Sequence, residues 1–160
     1  LTQEQYEESK QITFRQLYGR VDDKYKNIEF FKQTTAFIKD LYQTFHTNGY
    51  IATPIFGRRI TKLANPKMNA TKLFNYYLQA TETEYSITSI QAVNEVLNNY
   101  NTKLTLYTYD SILLDYDMKD GKDCILEIQK AMSNNGDFPV KIKAGANLHD
   151  LLDVTSKVLV

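Results

Sequence analysis

Apolar side chains recur at three- and four-residue steps through the first third of the chain, and that spacing predicts helices. Residues 3 to 18 place Tyr6, Ile12, Phe14, Leu17 and Tyr18 at helical intervals with no interior glycine or proline, and Gly19 stops the run. From Ile28 to His46 the pattern repeats through Phe30, Thr34, Phe37, Ile38, Leu41 and Phe45, ending at Asn48-Gly49. The period then changes to two. In YIATPIFGRRI, residues 50 to 60, alternation predicts a ribbon turning at Gly57, and Pro54 confines it to an edge. Asn69 is a natural N-cap for a long helix to about Asn98, with Leu73, Tyr77, Ala80, Ile87, Ile90, Val93 and Leu97 in one stripe broken around Thr83-Glu84.

Residues 103 to 109 and 111 to 117 alternate on either side of Asp110, which predicts a tight hairpin with a carboxylate at its tip. A shorter helix is expected from Asp120 to Asn134, turning Cys124, Ile125, Ile128, Ala131 and Met132 inward and closed by Asn135-Gly136. Phe138 to Ala144 alternates again and reads as a third strand. Helices come first, then helix, hairpin, helix and strand, so the predicted class is α+β: a helical segment followed by a long helix and a small antiparallel sheet.

Composition adds limits. With 160 residues, 42% hydrophobic and 24% charged, the chain suits one ordinary domain or two lobes sharing a core, and disorder is not expected. Cys124 is the single cysteine, which rules out an internal disulfide and favours an intracellular setting. No long apolar run or charged leader occurs, so a soluble chain without membrane association is expected. The opening residue is Leu1 rather than methionine, as for a piece of a longer protein.

Charge is balanced overall but not along the chain. Residues 1 to 72 carry 12 Lys+Arg against 7 Asp+Glu, and residues 73 to 160 carry 7 against 12. No acid occurs between Asp40 and Glu82, while Arg58, Arg59, Lys62, Lys67 and Lys72 fall inside that gap. The asymmetry suggests a polyanion partner for the first half, with a charge-mixed surface as the plainer reading.

Several small-enzyme classes are excluded. His46 and His149 are far apart with no G-x-S-x-G, zinc lacks its Cys and His ligands, and neither a Walker lysine loop nor G-x-G-x-x-G is present. Four spaced features remain. Lys10, Phe14 and Tyr18 share one helical face, where a cation and two rings can grip a phosphate and meet a base or sugar. By themselves, two aromatics four apart read as core. Arg58 and Arg59 at a turn suit phosphate contacts or a solvated basic tip. Asn75 and Gln79, one turn apart, can donate to minor-groove acceptors or face water. Asp110 is either a solvated turn or a metal ligand.

In order and spacing these features resemble the C-terminal part of a family A DNA polymerase, the bacterial polymerase I type also used by many phages. Lys10 to Gly19 is similar to the fingers helix with its K-x-x-x-F-x-x-x-Y-G pattern, GYIATPIFGRRI to the G-Y-x-x-T-x-x-G-R-R segment, and Asn75 to Thr81 to the N-x-x-x-Q-A-T run. YTYDSILLD, residues 107 to 115, resembles the palm hairpin that normally reads H-D-E, and FPVKIKAGANLHDL resembles the end of the palm. The likeness covers roughly residues 6 to 150.

The resemblance implies template-directed addition of deoxynucleoside triphosphates to a primer 3′ end, a DNA-directed DNA polymerase reaction. It implies fingers in residues 1 to 68 and the C-terminal palm in residues 69 to 160. Lys10 would bind the triphosphate, Phe14 would face the incoming sugar, and Tyr18 would lie at the templating position. Arg58, Arg59, Lys72, Asn75, Gln79 and Tyr109 would meet DNA, and Asp110 would hold two catalytic magnesium ions.

Departures accompany the likeness. Tyr6 and Thr71 stand where the family usually has arginine, and Tyr109 and Ser111 replace the His and Glu around Asp110. The family's second metal-binding aspartate lies upstream of the fingers helix, so an N-terminal segment or subunit is expected to supply it, and this chain alone is expected to be inactive. The setting implied is the cytoplasm of a bacterial or phage-infected cell. The alternative is a non-catalytic nucleic-acid-binding module on the same scaffold.

Overall fold

The computed structural model describes residues 2–19, 21–134 and 136–158. Leu1 and Asn135, expected respectively at the chain opening and at a helix end, lie outside the described residues. The fold is α+β, and its contacts divide it into two compact units, Leu1–Glu82 and Thr83–Val160.

The first unit opens with α1 (Gln3–Tyr18). Thr2 caps it reciprocally with Gln5: the Gln5 amide donates to Thr2 Oγ1 at 3.3 Å, and the Thr2 amide to Gln5 Oε1 at 2.9 Å. Gly19 ends it with its N–H on the Arg15 carbonyl at 3.0 Å; a Cβ there would lie 2.6 Å from that oxygen, so only glycine fits. After a 3-10 turn (Asp23–Tyr25), α2 (Glu29–Asn48) runs to Gly49, which takes the left-handed conformation at φ 77°. Strands β1 (Tyr50–Ala52) and β2 (Arg59–Thr61) pair antiparallel as the expected ribbon, with Gly57 at φ +66°. Phe45, Ile51, Met68 and Leu73 form the core, flanked by Leu41, Tyr42, Ile60 and Tyr77. The expected stripe on α2 is partly displaced: Phe30 and Phe37 are exposed, and Phe31 is buried in place of Phe30.

Helix α3 (Ala70–Leu97) starts where expected, with Asn69 Oδ1 accepting from the Lys72 amide at 2.8 Å. Where its apolar stripe breaks, the structure buries Glu84.

The second unit holds the hairpin of β3 (Lys103–Thr108) and β4 (Ser111–Asp115), a 3-10 turn (Met118–Asp120) and α4 (Gly121–Met132). Val93, Leu97, Cys124 and Ile128 form its core, with Leu104, Ile112 and Leu114 of the hairpin packed on them. The register passes from Leu104↔Leu114 to Leu106↔Leu113, a bulge that leaves Thr105 without a partner. Asp117, expected on the outgoing strand, lies beyond it and accepts from the Lys119 amide at 2.9 Å.

The strand expected over Phe138–Ala144 shrinks to β5 (Lys143–Ala144), paired with β6 (Leu152–Asp153) and followed by α5 (Thr155–Val158). Two residues explain the difference. Pro139 has no amide for a ladder, and the Phe138 amide is taken by the Ser133 carbonyl at 3.0 Å. The Phe138 ring stands edge-on to Tyr85, centroids 5.7 Å apart.

Thr102, fully buried, ties the hairpin base to the segment before α4. Its amide and hydroxyl both donate to Asp120 Oδ2, at 2.6 and 2.7 Å, and its Oγ1 accepts from the Asp117 amide at 3.2 Å. The Asn101 amide adds a bond to Asp120 Oδ1 at 3.1 Å. Burial pushes the Asp120 carboxyl upward, but the bonds from Thr102 and Asn101 outweigh it and hold the group below the usual carboxylate range.

Thr102→Val keeps the volume, removes the hydroxyl, and is expected to lower stability by about 1–3 kcal/mol in urea unfolding. Because the Asp120 pKa is lower in the folded state, its contribution is present above the unfolded value of about 3.9 and fades as pH falls through the folded one. Asp120→Asn should therefore lower Tm at pH 7, with the gap to the wild type closing below about pH 4 in thermal melts.

Candidate functional site

Helix α1 buries an amide rather than its rings. Gln16 is 1% exposed; its Nε2 donates to Asp22 Oδ2 at 3.0 Å, and its Oε1 accepts from the Asp22 amide. Arg15 Nη2 also reaches Asp22 Oδ2, at 3.1 Å. One buried side chain thus fixes the loop after α1 and leaves the Lys10–Phe14–Tyr18 face outward. Phe14 is 46% and Tyr18 43% exposed, which overturns the core reading that two aromatics four apart suggest by themselves. Lys10 Nζ lies 5.9 Å from the Phe14 centroid, and the two rings are 5.8 Å apart at 44°. Tyr6, one turn earlier, is exposed as well. A cation with two accessible rings on one face can hold a phosphate and stack on a base or sugar.

The ribbon presents its arginines differently from one another. The Arg59 guanidinium stacks 4.5 Å over the Tyr50 ring, which orients its fork. Arg58 is fixed through its backbone: its amide donates to Thr53 Oγ1 at 2.8 Å and its carbonyl accepts from the Thr53 amide at 2.9 Å. Both arginines are exposed. Among the described residues ion pairs join Arg15 to Asp22 and Lys26 to Asp23, and neither touches the acid-free stretch. Its charges are unneutralised.

On α3, Lys72, Asn75 and Gln79 follow one face by helical spacing. Lys72 Nζ sits 5.5 Å from the Tyr76 ring. Asn75 Oδ1 is enclosed and has no hydrogen-bond partner among the described residues, an arrangement that leaves a buried acceptor unsatisfied.

In the second unit the pairing Thr108↔Ser111 makes Tyr109-Asp110 the two-residue turn. Tyr109 adopts φ 54°, unusual for a residue with a side chain, and is 81% exposed. Ser86 Oγ donates to the Tyr109 carbonyl at 3.4 Å, and Ser111 Oγ to the Thr108 carbonyl at 2.9 Å. Asp110 is exposed at the apex. No group of three or more His, Cys, Asp or Glu side chains is placed to hold a metal among the described residues. At the apex this chain thus offers one carboxylate, that of Asp110, and no cluster of them among the described residues.

The site residues fall into the two units: Lys10, Phe14, Tyr18, Arg58, Arg59, Lys72, Asn75 and Gln79 in the first, Tyr109 and Asp110 in the second. Within the first, the structure places Phe14 beside both Lys10 and Tyr18. Gln16 and Thr102 went unread as organisers, because a buried polar residue at an apolar position leaves no periodic signal.

The solved POL domain of Pol1 from M. smegmatis, in complex with DNA primer-template and dNTP, is similar to this chain, with a TM-score of 0.66 over 87% of the chain at 15% sequence identity. The chain spans 28% of that polymerase chain. No family model and no curated protein matches the sequence. The chain thus has the fold of part of a DNA polymerase domain. No helix among the described residues is long and apolar enough to cross a membrane.

Since Phe14 is solvent-facing and Gln16 is not, Phe14→Ala is expected to change stability by less than about 0.5 kcal/mol, and Gln16→Ala to cost about 1–3 kcal/mol. Urea unfolding of the two variants compares them directly.

Proposed function

We propose that the chain is the fingers and C-terminal palm part of a family A DNA polymerase, with residues 1 to 68 as fingers and 69 to 160 as palm. Its reaction is template-directed transfer of deoxynucleoside monophosphate from a triphosphate to a primer 3′ end. The observation that carries this reading is the solvent-facing Lys10–Phe14–Tyr18 ladder, in a chain whose fold matches part of a polymerase domain.

In this reading Lys10 binds the triphosphate, and the Phe14 ring beside it takes the sugar. Tyr18, one turn on, lies at the templating position. Arg58, Arg59 and Lys72 contact DNA phosphates, which positions a duplex without reading its sequence. Asn75 and Gln79 meet the minor groove, where their amides can donate to acceptors common to all base pairs. Tyr109, lifted into solvent by its backbone, is the primer-end contact.

Asp110 holds magnesium together with an aspartate from an N-terminal segment or subunit. Bound there, magnesium would supply charge stabilisation for the phosphoryl transfer, with Asp110 as the oxygen ligand this chain contributes. Phosphoryl transfer asks the protein mainly for positioning, and each group named here positions charge or a ring. The bacterial or phage-infected cytoplasm is the setting proposed.

One observation favours the alternative, a non-catalytic nucleic-acid-binding module. The Ser111 hydroxyl is spent on the Thr108 carbonyl, so nothing beside Asp110 replaces the family's glutamate. Magnesium-dependent nucleotide binding in the reconstituted complex separates the two readings: the polymerase requires it, while a module shows only salt-sensitive DNA binding.

Primer extension is the decisive measurement. The chain alone is expected to be inactive, and robust synthesis by it would remove the need for a companion. In the reconstituted complex, Asp110→Ala should lower the rate by at least about a thousandfold, and Lys10→Ala should mainly raise the KM for dNTP. Synthesis surviving Asp110→Ala sinks the metal assignment.

A further inference from the structure

Leu63 is 94% exposed, the most exposed of the large apolar side chains described. Single exposed leucines are ordinary on protein surfaces. Three observations set this one apart.

The first is its loop, which is built rather than loose. The Ala64 amide donates to Thr61 Oγ1 at 3.3 Å, and Asn65 Nδ2 donates to the Thr61 carbonyl at 3.3 Å. The Asn65 amide donates to the Lys62 carbonyl, and the Met68 amide to the Asn65 carbonyl, each at 3.2 Å. Met68 is buried in the core with Phe45, Ile51 and Leu73, so the loop is anchored at its far end. Leu63 projects from a turn braced by these four internal hydrogen bonds.

The second is charge. Lys62 and Lys67 flank the leucine in sequence; both are exposed, and neither is in an ion pair among the described residues. Lys62 Nζ lies 3.4 Å from His46 Nδ1, and His46 stands edge-on to Tyr42 at 4.5 Å, which fixes one ammonium at the loop base. The third is contrast with the other most exposed aliphatic side chains; the ring of Phe56, 53% exposed, also stands in the acid-free stretch, near Arg58 and Arg59. Met118 lies between Asp117 and Asp120, Leu152 precedes Asp153, and Leu148 is two residues from Asp150. Leu63 alone among these stands in sequence among lysines and far from any acid.

We infer that the Thr61–Met68 loop is a nucleic-acid wedge: Lys62 and Lys67 bind backbone phosphates on either side while Leu63 inserts between neighbouring bases. Apolar side chains rimmed by cations serve nucleic acid in this way, because the cations offset the charge of the backbone and the apolar tip replaces part of the lost stacking. A nucleic acid offers phosphates on both sides of an apolar base stack, which matches an apolar tip flanked in sequence by Lys62 and Lys67; an acidic protein surface would meet the lysines without unstacking any base. The inference rests on the DNA-binding part of the proposed function, and no catalytic step enters it.

The test titrates the full chain onto primer–template DNA carrying 2-aminopurine at successive positions, over a series of salt concentrations. Wild-type chain should raise the fluorescence severalfold at one base step, the mark of unstacking. Leu63→Asn should abolish that rise and weaken binding roughly tenfold while leaving the salt slope unchanged. Lys62→Ala and Lys67→Ala should each reduce the slope by about 1 and keep the rise.

DNA binding without a fluorescence rise at any position overturns the wedge and leaves the polymerase reading intact. So does a rise that survives Leu63→Asn, or a Leu63→Asn effect confined to self-association. Failure of the reconstituted complex to extend primers would strike the polymerase reading and leave a positive wedge result standing.

Discussion

One carboxylate holds the second unit in register. Asp120 gathers the amide and hydroxyl of Thr102 and the amide of Asn101, all at the point where the chain leaves α3 for the hairpin. A two-stranded hairpin is barely stable by itself, so its position depends on what its base is tied to and what its inner face meets. Here the base meets Asp120 and the inner face, through Leu104, Ile112 and Leu114, meets the core around Val93 and Cys124. The turn residue Asp110 inherits its place from both. Any role for that apex is thus set by residues about ten positions away along each strand.

The first unit divides its labour in a similar way. Gln16 and Asp22 spend their polar groups on each other, and Phe45, Ile51, Met68 and Leu73 supply the apolar burial. That leaves the faces of Phe14 and Tyr18 and the exposed cations Arg58, Arg59, Lys62 and Lys67 outside the buried core. The exposed rings and cations lie on elements whose own stability comes from this buried core and from the Gln16–Asp22 bonds.

Much of this was legible in the sequence. The long helices, the Asn69 cap, the Gly49 and Gly57 turns and the hairpin with Asp110 at its tip follow from local rules of period, cap and turn, although Tyr109, expected on the incoming strand, joins Asp110 in the turn. The third strand failed because alternation from Phe138 to Ala144 ignored where amides could go: Pro139 has none, and that of Phe138 closes the end of α4. The core reading of Phe14 and Tyr18 failed for the opposite reason. Helical spacing tells which residues share a face but not which face is buried, and in α1 an amide won that contest. Glu84 and Thr102, polar yet enclosed, carry no periodic signature and were visible only once their surroundings were known.

The bulge at Thr105 has a bearing on how the tip is aimed. Every other residue of β3 has a partner on β4, so the pairing scheme would read the same if Thr105 were absent. What the extra residue adds is bend and twist. The hairpin thus separates two properties that a regular ladder would couple: its paired residues decide which residue occupies the apex, and the unpaired Thr105 adds bend and twist below it.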